Sequence, residues 1–216
     1  MTGGPLDGRV VVVMGAGAGY GRAVALALGR AGATILAADR DPDLAEDTAA
    51  AIREDGGWGE GFAVEPCDGR GVRAMASATV QHLGRIDACV VAPLPPPPGS
   101  LLDAPDDRWH AFLEEALIAP QVAVQACARE MLAGHHPGDI ILVTPPDEPG
   151  AAAMVRANVL ALARWWAAEL ADTPIRVEAL EPRAEPAPVT LHALVAVACL
   201  GIDAPGVSAL FAAGAI

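Results

Sequence analysis

Apolar positions follow two different periods along the chain. The strand predicted at residues 9–14 begins with Arg9 and continues as an uninterrupted apolar run rich in valine, which is typical of a strand buried on both faces. Residues 42–55 instead place apolar side chains at helical spacing and run into Gly56 and Gly57, which predicts an amphipathic helix ending there. The same reading predicts strands at 34–38, 61–65, 86–92, 139–144, 175–180 and 207–212. It predicts further helices at 20–31, 71–83, 103–132, 150–171 and 189–201.

Strands and helices therefore alternate, with no internal repeat and no linker. This order predicts an α/β fold of the Rossmann type, a doubly wound parallel sheet of about seven strands with helices on both faces. We expect a single domain over residues 1–216, with a cofactor-binding half at about 1–92 and a catalytic and dimerisation half at about 93–216. Pro120 lies inside the long predicted helix, and an interior proline predicts a kink or break there.

The predicted helix at 150–171 is apolar nearly all the way round. A helix that covers a sheet needs one apolar face, so the second face is available to another subunit. Trp165 and Trp166 are candidate anchors for a dimer or a hetero-oligomer. Burial inside a larger monomer is the alternative, and the chain length favours the dimer.

A glycine-rich segment joins the first predicted strand to the first predicted helix. Its spacing does not fit GxGxxG, but GxxxGxG fits at Gly15, Gly19 and Gly21. In this position a loop and a helix N-terminus can face a diphosphate. Asp39 ends the second strand, where a carboxylate accepts hydrogen bonds from an adenosine ribose and repels a 2′-phosphate, which favours NAD over NADP. A glycine turn that binds nothing is the alternative.

The composition limits the partners, the compartment and the ligands that we expect for this protein. The 216 residues carry a formal charge of −13 and a pI near 4.6, which argues against nucleic acid and against an anionic membrane surface as partners. No signal peptide or membrane span is visible, and the four cysteines form no CxxC pair, so we expect a cytoplasmic protein. His135 and His136 are adjacent, a poor ligand spacing, and we expect no metal.

The chain resembles the short-chain dehydrogenase/reductase family. The stretches "LDGRVVVVMGAGAGYGRAVALALGRAGATILAADRDP", "CDGRGVRAMASATVQHLGRIDACVV", "RWHAFLEEAL", "GDIILVT", "RWWAAEL" and "IRVEALEP" match it in order. The resemblance implies an NAD(P) site, a dimer built on two long helices and an adenine contact from Asp68.

The family's catalytic residues are an Asn, a Ser, a Tyr and a Lys. Aligned on those stretches, the corresponding positions hold Ala116, Pro145, Ala152 and Arg156. A slip of one residue brings Thr144 to the Ser position. No slip restores the Tyr–Lys pair, because the only tyrosine lies in the glycine loop and the chain contains no lysine.

These substitutions predict a degenerate member of the family without ordinary dehydrogenase activity. The first hypothesis is a non-catalytic partner subunit that binds NAD(H) and pairs with itself or with an active relative. The second is an NAD-dependent oxidoreductase, lyase or isomerase that uses Asp147 or Glu148 as acid/base. The third is a binding protein that responds to NAD(H).

Overall fold

One parallel sheet forms the centre of the protein. A computed structural model describes residues 4–92, 99, 102–145 and 148–181, and in this part of the chain six strands run in the order β3-β2-β1-β4-β5-β6. The strands are β1 (Val10–Met14), β2 (Thr34–Asp39), β3 (Trp58–Ala63), β4 (Ala88–Val91), β5 (Gly138–Val143) and β6 (Ile175–Leu180). The order reverses between β1 and β4, as in a doubly wound sheet.

Helices cover both faces of this sheet. They are α1 (Gly19–Arg30), α2 (Pro42–Glu54), α3 (Gly69–Leu83), α4 (Asp106–Leu113), a π-helical turn (Glu114–Ile118), α5 (Ala119–Ala133) and α6 (Ala151–Glu169). Buried side chains form one core cluster between the sheet and α3, α5 and α6, and a second between the sheet and α1 and α2. The predicted α/β fold class is therefore confirmed.

Strand β3 corrects one predicted boundary. The apolar pattern placed this strand at 61–65, whereas it begins at Trp58 and ends at Ala63. Its register with β2 runs from Thr34↔Trp58 to Asp39↔Ala63. Pairing with a neighbouring strand sets the ends of this edge strand. Its two glycines interrupt the apolar pattern, so the pattern does not show where the strand begins.

The long predicted helix at 103–132 is three segments in the structure. Helix α4 ends at Leu113, five residues follow in a π-helical turn, and α5 begins at Ala119. Pro120 lies in the first turn of α5, and the helical backbone continues without a break from Asp106 to Ala133. The kink or break predicted at the proline is replaced by a π-helical turn just before it. The helix predicted at 189–201 and the seventh strand at 207–212 lie outside the described residues.

Helix α6 buries one face and exposes part of another. Val155, Val159 and Leu162 are buried, whereas 56% of Trp165 is exposed. Trp166 packs against the core of its own chain and donates a hydrogen bond of 3.1 Å from its indole nitrogen to Gln121. Trp165 is thus the more exposed residue of the predicted pair, and Trp166 is partly buried. None of the helices in the described ranges combines the length and the apolar character needed to cross a membrane.

Candidate functional site

A cavity of about 280 Å³ opens at the carboxyl ends of the strands, where the strand order reverses between β1 and β4. Ligands of open α/β sheets bind at this position. The described residues that line it are Met14, Gly15, Ala18, Gly19, Asp39, Arg40, Pro66, Val91, Ala92, Glu115 and Ala119. The predicted residues Gly15, Gly19 and Asp39 thus lie together around one cavity.

The glycine loop is compact because two of its residues cannot carry a side chain. Gly15 has a φ of +76°, and a Cβ there would lie 3.0 Å from the Ala92 carbonyl oxygen. A Cβ on Gly21 would lie 1.9 Å from the carbonyl oxygen of Gly15, so the first turn of α1 packs directly on the loop. Gly21 therefore shapes the cavity wall without lining it.

The N-terminus of α1 faces this cavity without a side-chain cap. Ala18 is the N-cap residue, no side chain accepts a hydrogen bond from the first turn, and that turn carries no acidic residue. Orphan N–H groups at a helix N-terminus attract anions, and phosphate groups above all. This end of the helix fits a diphosphate.

Asp39 bridges the glycine loop and the start of α2. Its Oδ2 accepts a hydrogen bond of 2.9 Å from the Gly17 N–H, and its Oδ1 accepts one of 3.1 Å from the Asp41 N–H. These bonds fix the carboxylate at the cavity edge, and each oxygen keeps a further lone pair for a ligand hydroxyl.

Asp68 has a different position from the other predicted cofactor residues. Its side chain is the N-cap of α3 and accepts a hydrogen bond of 2.9 Å from the Arg70 N–H. The cavity wall nearest in sequence is formed by Pro66, and Asp68 is not among the described lining residues. The carboxylate has a helix-capping role in this structure, and its contact with adenine stays a prediction.

The four positions expected to be catalytic hold no acid or base apart from one arginine. Ala116 lies buried in the π-helical turn, Pro145 is buried after β5, and Ala152 lies in the first turn of α6. Arg156 forms an ion pair with Glu181, and its Nη1 lies 3.5 Å from the Thr144 hydroxyl.

Thr144 itself is fully buried and its N–H donates to the Leu180 carbonyl at 2.8 Å. A hydroxyl in this position contacts the Arg156 side chain. This contact ties the end of β5 to α6.

The structure describes only one of the two alternative acid/base residues. Glu148 is exposed, and Asp147 lies outside the described residues. In the described part of the chain, no three His, Cys, Asp or Glu side chains cluster closely enough to hold a metal ion.

Two functional features escaped the sequence reading. Arg40 and Glu115 both line the cavity and form an ion pair across it at 2.7 Å, although 75 positions separate them. Asn158, on α6, donates to the backbone of Ala116 at 2.7 Å. Neither pair leaves a local sequence signal, because each joins elements that meet only in the folded chain.

Known proteins are similar to this chain in sequence and in fold. Residues 9–189 match the family described as short chain dehydrogenase. A short chain dehydrogenase/reductase of Aspergillus oryzae, astE, is 28% identical over 185 residues, which cover 82% of this chain and 71% of that protein.

Solved structures agree with these sequence matches. A metagenomic short-chain oxidoreductase in complex with NADP superposes with a TM-score of 0.80 at 28% identity, covering 93% of this chain and 94% of that one. An NAD⁺-bound xylitol dehydrogenase superposes with a TM-score of 0.76 at 25% identity, covering 84% and 73%. Since the family match spans most of the chain and includes the glycine loop and the sheet built around it, this protein belongs to the short-chain dehydrogenase family.

Proposed function

We propose that this chain is a nucleotide-binding subunit of the short-chain dehydrogenase type that does not itself reduce or oxidise a carbonyl substrate. One observation carries the proposal. Arg156 occupies the position where the family resemblance implies a lysine, and its guanidinium is paired with Glu181, while Ala152 occupies the position of the tyrosine. The nucleotide half keeps its cavity, and the positions aligned with the tyrosine and the lysine hold an alanine and a paired arginine.

NAD(H) is the ligand that the cavity favours. The loop at Gly15 and the uncapped N-terminus of α1 would hold the diphosphate, and Asp39 would accept a hydrogen bond from the adenosine ribose. Met14, Pro66 and Val91 supply an apolar wall for a base. The NADP-bound and NAD⁺-bound relatives support a dinucleotide over other phosphates.

When bound, the nicotinamide supplies a hydride, and carbonyl reduction then needs a proton at the substrate oxygen. A positioned general acid contributes about 10²–10⁴ in rate, and an oriented donor about 10²–10³. Of the four expected positions only Arg156 is ionisable, and a guanidinium stays protonated at all working pH values. It therefore does not exchange a proton with an alcohol as a tyrosine does.

The activity test compares the purified chain with a variant that cannot bind nucleotide. NADH oxidation is followed with a panel of ketones and aldehydes, for the wild-type chain and for Gly21→Val. We expect no turnover above background from either, while calorimetry detects NADH binding to the wild type alone. Ketone reduction by the wild type that disappears in Gly21→Val would refute the proposal, whereas activity common to both identifies a contaminating enzyme.

The same proposal assigns a partner to exposed apolar side chains of α6 and of the π-helical turn. Met154 and Trp165 on α6 and Leu117 and Ile118 in the π-helical turn are large apolar side chains that are exposed. Tryptophan is over-represented among residues that dominate binding energy. We propose that this surface pairs with a second copy or with an active relative.

The partner test uses two exposed tryptophans. Native mass spectrometry of protein from its own host reports bound nucleotide and partner subunits together. Trp165→Asp should weaken assembly by at least about tenfold, whereas Trp58→Asp, on the edge strand, should leave it unchanged. A wild-type chain that stays monomeric, alone and with its host neighbours, would refute the partner role and leave the nucleotide site standing.

A further inference from the structure

Arg40 lies next to Asp39, the carboxylate proposed to bind the ribose, and it forms ion pairs with two other carboxylates. Arg40 directly follows Asp39 at the end of β2. Its Nη1 lies 2.7 Å from Oε1 of Glu115 in the π-helical turn, and its Nη2 lies 3.3 Å from Oε1 of Glu65 after β3. The ion pair with Glu115 joins two walls of the cavity.

This arrangement bears on a choice between two ligands. In dinucleotide sites an acidic residue accepts from the 2′-hydroxyl of the adenosine ribose, and a nearby arginine accommodates a 2′-phosphate instead. This chain has both residues side by side. The presence of Arg40 alone would therefore permit the phosphate.

The local charge reverses that expectation. Two carboxylates, those of Glu65 and Glu115, pair with the Arg40 guanidinium, and Asp39 adds a third negative charge at the same cavity. Burial lowers the pKa of Arg40, but the hydrogen bond that Arg40 donates to Glu115 and the charges of Glu115 and Glu65 outweigh this effect, so the pKa lies above its ordinary value. An incoming phosphate dianion meets a net negative group of side chains and competes with two carboxylates for the same donors.

We propose that Glu115 and Glu65 are specificity-determining residues that keep Arg40 from binding a 2′-phosphate, so that the cavity takes a nucleotide with a free 2′-hydroxyl. The inference rests on the nucleotide site of the proposed function and adds a role that Asp39 alone does not supply. Glu115 acts from a π-helical turn on the far side of the crevice, so the selectivity depends on a contact between the two halves of the sheet.

Removing these carboxylates should change selectivity more than stability. Arg40 and Glu65 are about half exposed, so their ion pair contributes little to folding. Glu115 is 22% exposed, and Glu115→Gln keeps its shape and a hydrogen-bond acceptor. A released guanidinium presents its planar fork to a phosphate in a bidentate geometry. The ratio of two binding constants therefore separates selectivity from a general loss of structure.

The experiment measures dissociation constants for NADH and NADPH by calorimetry on the full chain. Variants are Glu115→Gln, Glu65→Gln, their double variant, and Glu114→Gln as a matched control that removes a neighbouring charge without an ion pair to Arg40. The quantity compared is the affinity for NADPH relative to that for NADH. We expect Glu115→Gln to raise this ratio about threefold to tenfold, and the double variant to raise it further. Glu114→Gln should change the ratio less than about twofold. Adding Arg40→Ala to Glu115→Gln should abolish the gain.

Three outcomes contradict the inference. A wild-type chain that binds NADH, with an unchanged ratio in Glu115→Gln and in the double variant, refutes the selectivity role and leaves the nucleotide site intact. A gain that persists after Arg40→Ala shows that general charge, and not the arginine, sets the ratio. A folded wild-type chain that binds neither nucleotide refutes both the site and its selectivity.

Discussion

The side-chain amide of Asn158 donates a hydrogen bond of 2.7 Å to the backbone carbonyl of Ala116, joining α6 to the π-helical turn. Pro120 explains why this carbonyl is available. In a regular α-helix the Ala116 carbonyl would accept from the N–H of residue 120, and proline has none. The backbone N–H of Ala119 reaches back five residues to Glu114 instead, which widens the helix into a π turn. Asn158 supplies the missing donor.

Replacing Asn158 by alanine should therefore destabilise the fold. We expect Asn158→Ala to lower the free energy of unfolding by about 1–2 kcal/mol, because it leaves a buried carbonyl without a partner. Urea denaturation measures the change. Gln81→Ala is a suitable control, since this amide makes only an exposed contact with Ser77 at 3.4 Å, and we expect a change within about 0.5 kcal/mol.

A double-mutant cycle tests whether Pro120 is the cause. Pro120→Ala restores the N–H that a regular α-helix would use, so the loss caused by Asn158→Ala should shrink in that background. Additive effects of the two substitutions would show that Asn158 acts by packing alone.

The glycine loop gives a second prediction, on Gly21. Alanine there would place a Cβ 1.9 Å from the Gly15 carbonyl oxygen, a distance that only a shift of the backbone relieves. We expect Gly21→Ala to cost at least about 2 kcal/mol of stability and to abolish NADH binding. Gly69→Ala is the matched control, because its Cβ would meet only the flexible end of Arg73 at 3.1 Å. Normal stability and binding in Gly21→Ala would disprove the close packing of α1 on the loop.

A third prediction concerns acid stability and Asp139. Burial raises the pKa of this carboxyl above its ordinary value, although Arg176 lowers it by charge and by a hydrogen bond of 2.8 Å from its Nε. The folded chain thus binds the carboxyl proton of Asp139 more tightly than the unfolded chain does, in which the pKa of an aspartate is about 3.9. The stabilisation is complete below that pH and is lost as pH rises through the folded pKa.

The measurement compares the wild type with Asp139→Asn, which cannot titrate, by urea denaturation across the acid range. The stability of the wild type relative to Asp139→Asn should fall as pH rises from about 4, and then level off. In an Arg176→Gln background the fall should move to higher pH. A relative stability that instead rises with pH would contradict the raised pKa.

The sequence predicts the sheet better than it predicts the contacts across it. The valine run Val10–Met14 and the glycines after it are local signals, and they place β1, α1 and the cavity between them correctly. Asp39 was predicted for the same reason, because the end of a buried strand can be read from its own residues. Strand β3 was misplaced because its pairing with β2 decides its ends.

The site contains interactions that no local pattern encodes. Arg40 and Glu115 meet only after the chain has crossed the sheet, and the π-helical turn that carries Glu115 accepts a hydrogen bond from α6. Asp68 illustrates the converse. The family resemblance implies that this side chain contacts adenine, which stays a prediction. The structure shows it as a helix N-cap, a role that aspartate at a helix start favours on local grounds alone.

The reactivity of Cys67 gives the last prediction. Burial raises the pKa of this thiol, and the charges of Glu65, Glu114 and Glu115 raise it further, against a smaller lowering by Arg40. The thiolate is the reactive form, so alkylation should require a higher pH than for an unperturbed cysteine, whose pKa is about 8.5. Mass spectrometry of the Cys67 peptide after iodoacetamide treatment at graded pH measures the midpoint.

Two variants separate the causes of that shift. Glu115→Gln removes one repelling charge and should move the midpoint to lower pH, whereas Arg40→Ala removes the attracting charge and should move it to higher pH. Cys89 and Cys127 are buried and should stay unmodified in the folded chain, so their peptides report any unfolding during the reaction. A midpoint at or below that of a free cysteine, with those two peptides unmodified, would show that the carboxylates around Arg40 do not act on this thiol. A lower midpoint in Glu115→Gln together with a higher midpoint in Arg40→Ala would show that both charges act on the Cys67 thiol.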